Sequence, residues 1–278
     1  MTRAEHIERL PGKDLTTAKM PGHWLLARLG KRVLRPGGIE STRALLDDLA
    51  IGSGDRVVEF APGLGITARL ILEKRPTNYI GVERDPDAAQ WTSRHLAGDR
   101  IEVAVGAADS TGLPSGSASV VLGEAMLSMN TQAQKQRIVA EAFRLLCPGG
   151  RYGIHELAIV PDELPCQRKE EINRALSAAI HVGARPLDTL EWTALMEGAG
   201  FRVLQTRHVP MDLLRPRRLI EDEGLLGAFR IAGNILRDGA ARRRVMAMRR
   251  VFEQYRENLG AISLVAQKPW CAESDLFG

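Results

Sequence analysis

From residue 55 onward, short runs of apolar and β-branched residues alternate with segments whose apolar positions return every three or four residues. Such alternation is what βαβ units around a parallel sheet produce. The runs predict seven strands: Arg56 to Phe60, Asn78 to Glu83, Ile101 to Val105, Ala118 to Leu122, Arg151 to His155, Phe201 to His208 and Ala261 to Ala266. Helix starts fall between them. Asp85-Pro86 offers a capping carboxylate followed by a proline at the first helical position, and Asp188 with Glu191 has the spacing of a capping box. The Gly-Ala-Gly at 198–200 ends that helix before the sixth strand. Residues 1–50 read as a helical cap broken at Arg35-Pro36-Gly37-Gly38, and residues 211–258 as a helical insertion between the sixth and seventh strands. The expectation is one α/β domain over 1–278: cap, core at 51–210, insertion, last strand at 259–269 and a loose tail at 270–278.

Charge adds one feature to this picture. The net charge of +4 is small for 278 residues, but arginines crowd toward the C-terminus, at Arg215, Arg217 and Arg218 and again from Arg242 to Arg250. In the second group Arg242, Arg249 and Arg256 recur every seven residues, while Val245, Met248, Phe252 and Tyr255 follow helical spacing. Two readings fit: a solvated face over a buried stripe, or a surface for an anionic partner. The opening "MTRAEHIERL" lacks the apolar centre of a signal peptide and no run of eighteen apolar residues occurs, so cytoplasmic residence without a transmembrane segment is expected. Cys147, Cys166 and Cys271 form no C-x-x-C pair and read as ordinary thiols, with no metal site.

The candidate chemistry begins at the end of the first strand, in "EFAPGLGITARL". Gly63-Leu64-Gly65-Ile66-Thr67-Ala68 fits the G-x-G-x-x-G/A pattern that lets backbone N–H groups approach a cofactor at a helix N-terminus. Glu83, ending the second strand, suits any cofactor with a free ribose, because a carboxylate accepts from both hydroxyls. Neither separates a dinucleotide from an adenosyl sulfonium compound. Glu59 favours the latter: an acid there repels a pyrophosphate and suits an ammonium and a sulfonium. "GAADSTGLP" places Ala108 and Asp109 after the third strand, where a backbone N–H and a carboxylate can read an adenine edge, and "LLCPGGRYGIHE" turns through Pro-Gly-Gly into the fifth strand.

With these motifs, from about Leu45 to Pro269, the sequence resembles the class I S-adenosylmethionine-dependent methyltransferases, in particular the small-molecule branch of ubiquinone and menaquinone biosynthesis. The resemblance implies a Rossmann-like, doubly wound seven-stranded sheet, mostly parallel with an antiparallel seventh strand. It implies S-adenosyl-L-methionine as cofactor and S-adenosyl-L-homocysteine as product. The family's first motif, an acid followed by alternating glycines, falls here on Glu59, Ala61, Gly63 and Gly65. Ala61 departs from it, and Pro62 is expected to hold Ala61 in an extended conformation that tolerates the side chain. The carried-over roles put Gly63 and Gly65 against the methionine end, Glu83 on the ribose, Ala108 and Asp109 on adenine, and Glu124 and Ala125, just beyond strand four, near the amino acid and methyl group. The segment from Arg35 to Thr42 is a candidate to close over the cofactor's carboxylate.

A sulfonium methyl is already electrophilic, so alignment and water exclusion carry most of the catalysis, and a base is needed only for hydroxyl or carbon acceptors. His155, at the carboxyl end of strand five, is the candidate base and stands with Glu124 as the expected catalytic residues. His6, His23, His95, His181 and His208 have no partner by spacing, though His181 is a candidate for the acceptor pocket. Met126 and Met129 suit a soft apolar wall or a plain core. The cap and insertion are expected to form a lid over a small apolar or lipid-like acceptor. No (D/N)-P-P-(Y/F) stretch follows strand four, which argues against exocyclic amino methylation of nucleic-acid bases. Methylation of RNA or of a substrate at a membrane surface, non-catalytic cofactor binding, and a nicotinamide dehydrogenase remain as alternatives.

Overall fold

A computed structural model describes residues 10–270 apart from 13 and 97; His6, Cys271 and nearly all of the expected tail lie outside the described residues. Seven strands, β1 (Arg56–Phe60), β2 (Asn78–Glu83), β3 (Ile101–Val105), β4 (Ala118–Glu124), β5 (Leu146–Ile159), β6 (Arg202–Pro210) and β7 (Leu259–Gln267), form one sheet in the order β3-β2-β1-β4-β5-β7-β6. The pairings from β3 through β5 are parallel, and β7 runs antiparallel to both β5 and β6. This is the expected mostly parallel sheet with a reversed seventh strand.

Burial follows position in the sheet. β4 and β7, covered on both faces, are almost continuously buried, whereas the edge strands β3 and β6 alternate with exposed residues. Helices α1 (Gly22–Arg28), α2 (Gly38–Asp48), α3 (Ile66–Glu73), α4 (Pro86–His95), α5 (Gln132–Leu145), α6 (Cys166–Ile180), α7 (Thr189–Gly198), α8 (Pro216–Arg237) and α9 (Gly239–Gln254) complete the described chain. α2 and α3 press Leu45, Leu46, Leu49, Ala68 and Ile71 onto one face of the sheet. α5 and α7 press Ile138, Val139, Trp192 and Met196 onto the other. α2 comes so close that a Cβ at Gly153 would lie 2.7 Å from Leu49 Cδ1.

The helix starts form as the sequence predicts. Asp85 accepts from the backbone N–H groups of Asp87 and Ala88, with Pro86 at the first position, and Asp188 with Glu191 closes a capping box. Each cap is worth about 1 kcal/mol. The boundaries of β4 through β7 differ from expectation. β4 runs through Glu124, so that residue ends the strand instead of following it. β5 begins at Leu146: its register jumps from Ala118↔Leu146 to Val120↔Arg151, so the Cys-Pro-Gly-Gly turn loops out while Leu146 stays paired.

Outside the sheet, α1, α6 and α9 build further apolar clusters, with Met20, Leu25 and Leu26 meeting Val245 and Met248, and Ile172 and Leu176 meeting Tyr255. The spacing of Val245, Met248 and Tyr255 thus marks a buried stripe. α8 is broken at Gly224, whose φ of 72° is open to glycine and strained for other residues. Just before the break, Asp222 accepts from Lys31 Nζ at 3.0 Å and from Ile39 N at 3.0 Å. Glu223 accepts from Arg32 N at 2.7 Å and Val33 N at 2.9 Å. Both carboxylates and the Lys31 side chain are buried, so this clasp fixes residues 31–39 against the insertion.

Candidate cofactor and acceptor site

The strand order reverses between β1 and β4, one of whose neighbours lies toward β3 and the other toward β6. Ligands of open α/β sheets bind at the carboxyl ends of strands at such a switch point. A cavity of about 620 Å³ opens there, within the ordinary range of small-molecule sites. Ala61, Gly63, Glu83, Ala108, Asp109, Glu124 and Ala125 all line it, so the folded chain brings together most of the residues singled out from sequence.

The loop after β1 is held from behind. Gly63 N donates to Glu83 at 3.1 Å, and the other oxygen of Glu83 accepts from Asp85 N at 3.1 Å. Burial raises the Glu83 carboxyl above its usual range. Thr92 Oγ1 donates to Gly63 O at 2.5 Å. Gly65 caps α3 in the left-handed region, with a φ of 73°, and packs toward Thr92 away from the cavity wall. Ala61 departs from expectation: its φ is 53°, left-handed and not extended. The turn required to present Gly63 outweighs the preference imposed by Pro62, and it places alanine where glycine is the unstrained residue.

Glu59 also differs from the sequence-based picture. It is buried and does not line the cavity; it accepts from Tyr79 Oη at 2.7 Å. Burial pushes its carboxyl up to about 8, against the Tyr79 hydrogen bond, so it is mostly neutral at pH 7. The negative charge at the wall belongs instead to Glu124. That carboxylate accepts from Thr42 Oγ1 at 2.7 Å, from His155 Nδ1 at 2.8 Å and from Thr67 Oγ1, and Arg35 Nη1 stands 3.5 Å away. Burial alone would raise its pKa, but Arg35, then His155 and Thr67, outweigh it and hold the carboxyl down at about 2. A carboxylate so fully satisfied is a poor proton acceptor.

His155 is wholly buried behind Glu124, outside the cavity lining, with Nε2 lacking a hydrogen-bond partner among the described residues. Its backbone oxygen accepts from Ala125 N at 2.7 Å, which fixes the turn leaving β4. Glu156, unremarked in sequence, acts beside it. It accepts from the N–H groups of Met126 at 2.9 Å, Leu127 at 2.7 Å and Ser128 at 3.0 Å, and from Ser128 Oγ. The acid following a strand-end histidine was a visible signal, but only the fold turns it toward that loop.

Arg35 is the residue whose role sequence left most open. It is buried, lines the cavity, and has Nε and Nη2 without partners among the described residues. A buried guanidinium with two free donors beside a cavity fits a ligand carboxylate. On this observation the residues present fit an amino-acid-bearing cofactor: Arg35 for its carboxylate, Glu124 for positive charge, Glu83 for a diol and Asp109 for a base edge. Asp109 also pairs with Arg137 at 3.0 Å.

Beyond Glu124 the wall turns apolar. Trp24 and Leu26 from α1, Ile180 from α6, Leu213, and Met248 and Phe252 from α9 enclose it, and Met126 and Met129 line it as well. His181 is not on this wall; it ends α6 in the left-handed region, between the lining residues Ile180 and Val182. His23 lines the cavity, and burial, opposed by Asp85, lowers its pKa to about 4, leaving it neutral. No group of three or more metal-ligating side chains occurs among the described residues. None of the described helices is long and apolar enough to cross a membrane.

Known proteins share this fold. Residues 57–150 match the family described as a methyltransferase domain. A structure of a putative sarcosine dimethylglycine methyltransferase from Galdieria sulphuraria is similar at a TM-score of 0.66 and 15% identity, over 83% of this chain and 86% of that one. Phosphoethanolamine N-methyltransferase 2 of Haemonchus contortus, solved with phosphomonomethylethanolamine and S-adenosylhomocysteine, gives 0.69 at 15% identity, over 97% of this chain and 61% of that one. The [4+2]-cyclase SpnF gives 0.64 at 17%, over 83% and 80%. An uncharacterized protein of Haemophilus influenzae is 30% identical over 251 residues, 89% of this chain and 98% of its own length. The chain therefore belongs to one family with that Haemophilus influenzae protein, and residues 57–150 within it match a methyltransferase domain.

Proposed function

We propose that the protein transfers a methyl group from S-adenosylmethionine to a small apolar or lipid-like acceptor. The observation that supports this best is the pairing, in one cavity, of Arg35's Nε and Nη2, unpartnered among the described residues, with an apolar chamber on the far side of Glu124. The bound cofactor supplies an electrophilic methyl on a sulfonium. The chain's own residues bind, orient and keep out water. Arg35 takes the cofactor's carboxylate and Glu124 places fixed negative charge beside its ammonium and sulfonium. Glu83 accepts from the ribose, while Ala108 and Asp109 meet adenine. Gly63 lets the backbone approach, Ala61 lines the turn beside it, and Gly65 and Glu59 shape that turn from behind the wall. His155 acts through Glu124, as a positioning residue and not as the base expected from sequence. Catalysis then rests on alignment in a closed, apolar site, the ground for placing the cap and insertion as its lid.

Titration calorimetry with S-adenosylmethionine and S-adenosylhomocysteine tests the first half of this reading, and binding of neither refutes it. Release of S-adenosylhomocysteine on incubation with a panel of apolar amines, phenols and quinols tests the second. Binding without turnover across the panel refutes transfer to this acceptor class.

A further inference from the structure

The outer face of the insertion is left over by everything above. At 3.6 residues per turn, Leu225, Leu226, Phe229 and Leu236 share one side of α8, away from Gly227, Ile231 and Asn234, which are buried against the cap. These four side chains are bare: Leu225 is 61% exposed, Leu226 87%, Phe229 73% and Leu236 68%. Arg230 and Arg237, seven residues apart, stand along one margin of this stripe. α9 packs beside α8 and exposes Arg242, Arg243, Arg249 and Arg250 around the half-exposed Met246. None of these six arginines makes an ion pair among the described residues, whereas most other arginines of the insertion do.

An apolar stripe bordered by unpaired cations fits one environment in particular. A polyanion alone has no use for bare leucine and phenylalanine, which it would leave in water. A second copy of the chain would cover them but would bring like-charged margins together across a two-fold axis. A bilayer with anionic headgroups meets both features, because an interfacial helix buries its apolar side at the headgroup boundary while arginines pair with lipid phosphates. We propose that the outer face of α8 and α9 docks on an anionic lipid surface, with Leu226 and Phe229 entering it. The inner face of α9 carries Met248 and Phe252 on the cavity wall, so this helix stands between that surface and the apolar chamber.

Sedimentation of the full chain with vesicles tests this without reference to turnover. The protein should pellet with vesicles of phosphatidylcholine mixed with phosphatidylglycerol and stay in solution with phosphatidylcholine alone. Raised salt should weaken the binding. The double variant Leu226→Ser/Phe229→Ser, which touches neither cavity nor clasp, should cut the vesicle partition constant by about tenfold or more while keeping the wild-type melting temperature and cofactor affinity. Arg230→Gln/Arg237→Gln should reduce it several-fold and flatten its salt dependence. Three results would overturn the proposal: no partition onto anionic vesicles at low salt, equal partition of the serine variant, or a wild-type dimer that this variant converts to monomer. Cofactor calorimetry on the same samples keeps failure here distinct from failure of the methyltransferase reading.

Discussion

Replacing Arg35 with methionine probes the cofactor site most directly. Its guanidinium is buried, 3.5 Å from Glu124, and its Nε and Nη2 have no partner among the described residues. If those donors receive the cofactor's carboxylate, the substitution strips a buried charge-assisted pair from the complex and strands the carboxylate. Loss of one partner from such a pair costs about 2–5 kcal/mol, or roughly 30-fold to several-thousand-fold in affinity. Arg35→Lys restores a point charge but not the planar fork, and should recover part of the loss. The assay is calorimetry with S-adenosylmethionine and with its decarboxylated analogue. Arg35→Met should depress affinity for the first by about a hundredfold and for the second by far less, since the analogue has no carboxylate to lose. Equal losses for both ligands would refute the assignment and leave Arg35 as a partner of Glu124 only.

The two buried acids bend the stability profile in opposite directions. Glu124 drops from an ordinary 4.5 to about 2 on folding, so its contribution, about 3 kcal/mol, is present above 4.5 and lost as pH falls toward 2. Glu59 rises from 4.5 to about 8, so the fold is favoured below 4.5 and loses that advantage as pH climbs through 8; Glu59→Gln should flatten the alkaline limb in urea melts, and an unchanged limb would count against a buried neutral carboxyl. In the clasp, Asp222→Ala leaves the buried Lys31 without its 3.0 Å partner and Ile39 N without an acceptor, and should cost about 3–5 kcal/mol by chemical denaturation. A loss below about 1 kcal/mol would show that the segment carrying Arg35 is held by packing instead.

What the sequence reveals and what it hides divide along a physical line. All seven strands and the caps at Asp85 and Asp188 are legible because each depends on residues close along the chain. The helical spacing of Val245, Met248 and Tyr255 likewise announces a buried stripe. Glu59 misleads because its place beside the glycine loop says nothing of Tyr79, which reaches it from the neighbouring strand and keeps it off the wall. Ala61 misleads because the local preference set by Pro62 yields to a turn fixed by the packing of the whole loop. The set around Glu124 gathers Arg35, Thr42, Thr67 and His155 from three separate segments. No spacing rule reaches across such distances, and only the assembled sheet brings them together.

The reversed seventh strand has a consequence for how this fold can change. Because β7 returns antiparallel, with Gly260 paired to Pro210, the β6-to-β7 connection leaves and re-enters at the same rim where the cavity opens. A hairpin turn would suffice to join them, yet residues 211–258 are interposed. Met211, Leu213, Met248 and Phe252 of the cavity wall thus belong to one contiguous cassette with neighbouring ends. If that cavity takes the acceptor, as proposed, swapping the cassette between relatives should change acceptor preference while leaving Gly63, Glu83 and Asp109 in place.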